Sequence, residues 1–152
     1  MKIVVASDHR GFHAKEQVRS YLSGAGHEVI DLGCTGRESC DYPDMALAGA
    51  RSVSDGQADR GILFCGTGIG MSVAANKVQG IRAALCHDEL TAEMSRRHNY
   101  ANVLCLPGDL LGDELIRRVV DVWLRTEYEG GRHQRRLDKI ASFENNGQCT
   151  GK

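Results

Sequence analysis

A cysteine that ends an apolar run, followed at once by alternate glycines, is the most chemically suggestive feature of this chain. Residues 61–77 read GILFCGTGIGMSVAANK. Ile62, Leu63, Phe64 and Cys65 have the length of a strand buried on both faces. Gly66, Thr67, Gly68, Ile69 and Gly70 then permit a tight turn, and helix-compatible residues resume at Met71. The first-turn amides of a helix lack intrahelical partners, so a strand, a glycine-rich turn and a helix start together form a place for an anion. Cys65 stands on the lip of that turn, where a helix N-terminus favours the thiolate as nucleophile or base. Taken alone, the stretch fits equally a small buried cysteine beside glycines that only allow close packing.

Other candidates are scattered. Asp8 and His9 follow an apolar KIVVA run, Tyr42 precedes a helical stretch, and His98-Asn99 close another. Arg132 and Arg136 are one helical turn apart. Each has a plain structural reading. Asp8 can cap a helix, His98 and Asn99 suit a helix C-terminus, and a charged pair is commonly a solvated stripe. Together with an anion-binding turn, they point to a phosphorylated ligand.

The elements that must position these groups alternate. Strands are expected at 2–6, 28–32, 62–65, 83–86 and 102–106, and helices at 12–23, 44–54, 71–76, 88–97, 110–125 and 132–143. Asp88 is a plausible N-cap, and so is Asp109 after Pro107-Gly108. Strand–helix alternation implies a parallel α/β sheet with right-handed crossovers, most simply in the order 2-1-3-4-5. Such a sheet reverses direction between strands one and three, and ligands bind outside the C-terminal ends at that point. Asp8-His9 close the first strand and Cys65 closes the third, so two polar constellations meet there. This convergence favours a functional Cys65.

The 152 residues suggest one domain at 1–143 with a flexible tail at 144–152. Hydrophobic residues make up 41% and charged residues 26%, and the net charge of −1 does not mark a nucleic-acid or acidic-lipid binder. No apolar run reaches membrane-span length, and the N-terminal apolar run is too short for a signal peptide. Of the cysteines at 34, 40, 65, 86, 105 and 149, the three in core strands read as reduced buried thiols. No Cys/His spacing resembles a zinc site. A reducing cytoplasm is the expected home.

The strings SDHRGF at 7–12, DYPD at 41–44, CGTGIGMSVAANK from Cys65, RRHNYANVL from Arg96 and YEGGRHQRRLDKI from Tyr128 resemble one family. It is the sugar-phosphate isomerase family that includes ribose-5-phosphate isomerase B and galactose-6-phosphate isomerase. The likeness covers about 1–140 in the same order. It implies a Rossmann-like three-layer α/β/α fold and a homodimer, sometimes paired into tetramers. It also implies active sites shared between subunits and no metal or cofactor. Carried onto this sequence, Cys65 would be the base that moves a proton between the aldose and ketose carbons, with Thr67 and Asp8 orienting groups around it. The amides of Gly66, Gly68, Ile69 and Gly70 would stabilise the enediolate oxygen. His98 would open the furanose ring, with Asn99 beside it. His9, Arg132 and Arg136 would hold the phosphate, and Tyr42 would line the sugar pocket.

One departure stands out: the family commonly has a substrate-binding arginine where this chain has Asp109. The chemistry is coherent without redox cofactor or nucleotide, since isomerisation requires a base near neutral pH and a stabilised enediolate. Ribose 5-phosphate is the expected substrate, with a hexose 6-phosphate or a tetrose phosphate as alternatives. A low-molecular-weight phosphatase would need an arginine where this chain has Met71. A non-catalytic phosphate-ligand or dinucleotide binder fits less well, because the turn is G-x-G-x-G and follows the third strand.

Overall fold

The computed structural model describes residues 1–147. Five strands, β1 (Lys2–Ser7), β2 (Glu28–Asp31), β3 (Arg60–Cys65), β4 (Ala83–Leu85) and β5 (Val103–Pro107), pair in parallel throughout. Between and after them run α1 (Phe12–Gly24), α2 (Tyr42–Ser54), α3 (Ile69–Ala75), α4 (Glu89–Arg97), α5 (Asp113–Arg125) and α6 (Arg132–Gly147). Side chains alternate across the sheet. Ile3, Val5, Ile62, Phe64, Leu104 and Leu106 pack with Val18 and Leu22 of α1 and Val119 and Trp123 of α5. Ala6, Leu63, Cys65 and Cys105 face Ala46 and Ala50 of α2 and Met71 and Ala75 of α3. The sheet is thus covered on both faces, which is why its inner strands read as continuous apolar runs.

The strand order is β2-β1-β3-β5-β4, which corrects the expected 2-1-3-4-5. The reason lies in the last two strands. All five residues of β5 are buried, whereas β4 is three half-buried residues, Ala83, Ala84 and Leu85. Burial of apolar area favours the longer strand at the centre and leaves the short one for the edge. Handedness then assigns the faces. Right-handed crossovers from β2 to β3 and from β3 to β4 place α2 and α3 together, and the return from β4 to β5 sends α4 to the face of α5. The reversal between β1 and β3 remains as expected.

Local chemistry sets the helix ends. Asp88 caps α4, its Oδ1 accepting the Thr91 N–H at 2.7 Å. Pro43 lies in the first turn of α2, where its missing N–H costs nothing. The N-cap of α5 is Gly112 rather than Asp109, so the helix begins later than the sequence suggested. α6 continues to Gly147, into the expected tail, and the remainder of that tail, with Cys149, lies outside the described residues. Lys15, 1% exposed, donates from Nζ to Asp31 Oδ1 at 2.7 Å and to the Gly33 carbonyl at 2.8 Å. This buried, fully engaged cation ties α1 to the loop after β2, which leads towards Tyr42.

Candidate active site

Asp8, Arg10, Tyr42, Cys65, Gly66, Thr67, Gly70, Asp109 and Leu110 surround a cleft of about 320 Å³. It lies where the C-terminal ends of β1 and β3 diverge. The ladder holds that edge together past the strands: Asp8 N–H donates to the Phe64 carbonyl at 3.2 Å and Gly108 N–H to the Cys65 carbonyl at 2.8 Å. The Cys65 side chain, 5% exposed, accepts the Gly68 N–H at 3.1 Å. A sulfur that accepts an amide hydrogen bond at a helix start is stabilised most when it carries negative charge. The other two free cysteines among the described residues are different. Burial pushes the thiol of Cys86 up and that of Cys105 well up, so both stay protonated and inert.

The turn requires its glycines. Gly68 has φ +75°, and a Cβ there would also lie 2.6 Å from Leu85 Cδ1. At Gly70 an added Cβ would lie 2.7 Å from the Tyr42 ring, so absence of a side chain lets Tyr42 close over the turn. Thr67 Oγ1 accepts the Ile69 N–H at 3.3 Å. Asp8 Oδ1 accepts the amides of Arg10 and Gly11, both at 2.9 Å, so this carboxylate shapes the β1–α1 loop as well as lining the cleft. His9 is half-buried beside it, with Nδ1 3.3 Å from both the backbone nitrogen and oxygen of Cys40. Cys40 is disulfide-bonded to Cys34, while Cys65, Cys86 and Cys105, read from the sequence as reduced buried thiols, are free and buried.

The remaining candidates are elsewhere. α4 runs from the C-terminal edge of the sheet back to its N-terminal edge, so its C-cap, His98, and the exposed Asn99 lie at the opposite end from Cys65. α6 begins beside them, with Arg132 and Arg136 exposed on its first two turns. The rings of His98 and His133 stack with centroids 4.2 Å apart. Glu129 Oε2 lies 3.8 Å from His98 Nε2 and 3.5 Å from His133 Nε2. Burial, with the neighbouring His98 and Arg132 charges, holds the pKa of His133 below the ordinary value. His98, Glu129 and His133 are close enough to share a metal ion, a grouping the sequence spacing concealed. Arg97 already holds Glu129, donating from Nε to Oε1 at 2.7 Å, which favours an ion-pair network there.

The family model described as Ribose/Galactose Isomerase matches residues 3–140. The chain belongs to the ribose/galactose isomerase family. The structure of ribose-5-phosphate isomerase B from Clostridium thermocellum is similar, with a TM-score of 0.95 and 49% identity over 96% of this chain and 99% of that one. The Mycoplasma genitalium ribose-5-phosphate isomerase B structure, with bound ribulose 5-phosphate, has a TM-score of 0.90 and 44% identity over 95% of this chain and 96% of that one. D-erythrulose-4-phosphate isomerase from Pectobacterium atrosepticum is 40% identical over 95% of this chain and 95% of its own length. The family therefore includes proteins named for different sugar phosphates.

Arg10 also lines this cleft. The observed strand order explains its partner. Because β5 lies directly beside β3, Asp109 N–H donates to the Gly66 carbonyl at 3.1 Å, and its carboxylate reaches the cleft mouth. There Arg10 Nε donates to Asp109 Oδ2 at 2.6 Å. The Arg10 side chain is 63% exposed, so water screens the pair and its contribution to stability is at most about 1 kcal/mol. A charged ligand entering the cleft would meet both groups. Arg10→Ala strands a carboxylate at the mouth and is expected to raise KM for a dianionic substrate with kcat little changed, whereas Asp109→Ala frees a guanidinium and is expected to lower KM. Steady-state kinetics at low and high salt check this, because screening must shrink both effects. Equal KM values in both variants at low salt would remove the pair from substrate recognition.

Proposed function

We propose that this chain interconverts ribose 5-phosphate and ribulose 5-phosphate through an enediolate. The observation that carries the reading is the Cys65 sulfur, buried at the sheet's reversal point and hydrogen-bonded by the turn that follows it. The similar structure holding ribulose 5-phosphate supports the choice of sugar.

In this scheme the Cys65 thiolate removes the proton from C2 of the open-chain aldose. Negative charge moves to the carbonyl oxygen at C1, where the Gly66, Gly68, Ile69 and Gly70 amides stabilise it. The proton returns from sulfur to C1 while the hydroxyl proton at C2 passes to the C1 oxygen, giving the ketose. Thr67 and Asp8 position the sugar hydroxyls, and Tyr42 covers it. No redox cofactor enters the balance.

One protomer does not complete this site, because Cys65 and His98 occupy opposite ends of its sheet. A second copy related by a two-fold axis supplies His98 and Asn99 for ring opening, and Arg132 and Arg136 to join His9 at the phosphate. A homodimer is therefore the minimal active unit, and pairing into a tetramer adds no residue to this scheme. No helix among the described residues is long and apolar enough to cross a membrane. A cytoplasmic location suits both the substrate and a free catalytic thiol, whereas the Cys34–Cys40 disulfide is uncommon in a reducing compartment.

The D-erythrulose-4-phosphate isomerase relative makes a tetrose phosphate the second reading. Assaying aldose–ketose interconversion over four-, five- and six-carbon sugar phosphates decides between them: kcat/KM should peak at ribose 5-phosphate. A peak at another sugar changes the substrate, and no interconversion of any of them ends the isomerase reading. Ring opening gives a separate expectation. His98→Asn should impair cyclic ribose 5-phosphate far more than acyclic ribulose 5-phosphate. Stopped-flow measurement of both directions checks it, and equal losses would give His98 another role.

A further inference from the structure

Three arginines converge at the N-terminal edge of the sheet with no carboxylate in direct contact among the described residues, although Glu127 acts on Arg60 and Arg96, and Asp59 on Arg60, from farther away. Arg60 opens β3, Arg82 precedes β4, and Arg96 lies in the last turn of α4; they face a common cavity of about 400 Å³. Among the described residues, none of the three has a carboxylate within ion-pair distance. Their hydrogen bonds go to neutral backbone carbonyls. Arg60 Nη1 donates to Trp123 at 3.1 Å and Leu124 at 2.9 Å, Arg82 Nε to Tyr100 at 3.0 Å, and Arg96 Nη1 to Ala101 at 2.5 Å. Asp59 also lines the cavity, but its Oδ2 accepts the Lys2 N–H at 2.7 Å.

Arg96 is the most telling of the three. It is only 4% exposed, yet its Nε finds no partner. Its guanidinium sits 4.9 Å from the Tyr100 ring centroid and 5.7 Å from that of Trp123, while Arg82 lies 5.5 Å from Tyr100. Aromatic faces stabilise the cations but cannot accept their N–H bonds in the manner of an oxyanion. Burial, then the Arg60 charge, pushes the Arg96 pKa down to about 10, which still leaves it charged near neutral pH. Like charges gathered in a partly buried hollow repel one another, and unspent donors there carry a desolvation cost. An anion with several oxygens removes both penalties, and a phosphate group matches planar guanidinium donors best.

We propose that this cavity binds a small phosphorylated anion, at a site separate from the Cys65 cleft. Cys65, His98, Arg132 and Arg136 line none of it. Its volume falls in the range of small-molecule sites.

Inorganic pyrophosphate is the probe, titrated calorimetrically into the full chain. Working in an Arg136→Ala background weakens the other candidate phosphate position, and pyrophosphate binding should persist there. Adding Arg82→Gln should then weaken it about tenfold or more, the loss expected for one charge-assisted hydrogen bond. Tyr100→Asp is the second variant. Tyr100 has φ +47°, a left-handed conformation that aspartate tolerates better than tyrosine, so the fold should be retained. Its new carboxylate would lie beside Arg82 and Arg96 and compete with the anion. Binding should again fall tenfold or more, with the thermal midpoint held or raised. The proposal is overturned if the wild type binds no pyrophosphate, or if Arg136→Ala alone abolishes binding. It is equally overturned if Tyr100→Asp folds and leaves the affinity unchanged. Because these are binding measurements, their failure leaves the isomerase reading untouched, and failure of that reading leaves them interpretable.

Discussion

Replacing Cys65 with serine is expected to lower kcat by about 10²–10⁴-fold, the span that a positioned acid–base group contributes. Serine preserves side-chain size and can accept the Gly68 N–H that Cys65 accepts at 3.1 Å. It cannot supply the same base, because an alcohol is a far weaker acid than a thiol. Folding and substrate affinity should therefore survive while turnover falls, the mark of an interaction made in the transition state. Cys105→Ser is the matched control. That side chain is wholly buried in β5, so a serine hydroxyl there costs about 1–3 kcal/mol of stability while kcat per folded molecule is unchanged. Steady-state kinetics with a thermal melt on both variants checks the pair. Near-normal kcat in Cys65→Ser would remove this residue from the base role.

Much of the fold was legible because its signals were local. Alternating apolar runs and helix breaks located the elements, and Asp88 caps α4 as its position suggested. The order of the last two strands was not legible in the same way. It depends on how β4 and β5 compete for the centre of the sheet, a comparison of burial that no local motif encodes. That non-local outcome also hid the role of Asp109. In the order 2-1-3-4-5 it would lie one strand away from the glycine turn, where a helix cap was the natural reading. With β5 beside β3 it meets Arg10 instead. The Cys34–Cys40 bond and the meeting of His98, Glu129 and His133 are likewise products of chain paths between elements. Cys65 and its turn were readable because a strand end, a glycine pattern and the reversal of strand order all converged on one residue.

Mixing two inactive variants is expected to restore activity. Cys65→Ala retains His98 and the arginines of α6, while His98→Asn retains the Cys65 cleft. Parallel topology with α4 running back across the sheet separates these groups within a protomer. A site shared across a two-fold dimer would take Cys65 from one chain and His98 from the other. Each mixed dimer then has one site with both residues intact and one with neither. Random exchange makes half of the dimers mixed, so activity with ribose 5-phosphate should recover to about a quarter of wild type. The variants are to be co-refolded or co-expressed, because stable subunits do not exchange on mixing alone, and tagged chains confirm that mixed dimers have formed. Recovery from near background is a large effect that neither variant can produce by itself. It also separates shared sites from paired but independent ones, since a site completed within one chain would leave every mixed dimer with two damaged sites. Confirmed mixed dimers without recovery would therefore confine the reaction to one protomer and require α4 and α6 to move before Cys65 and His98 could act together.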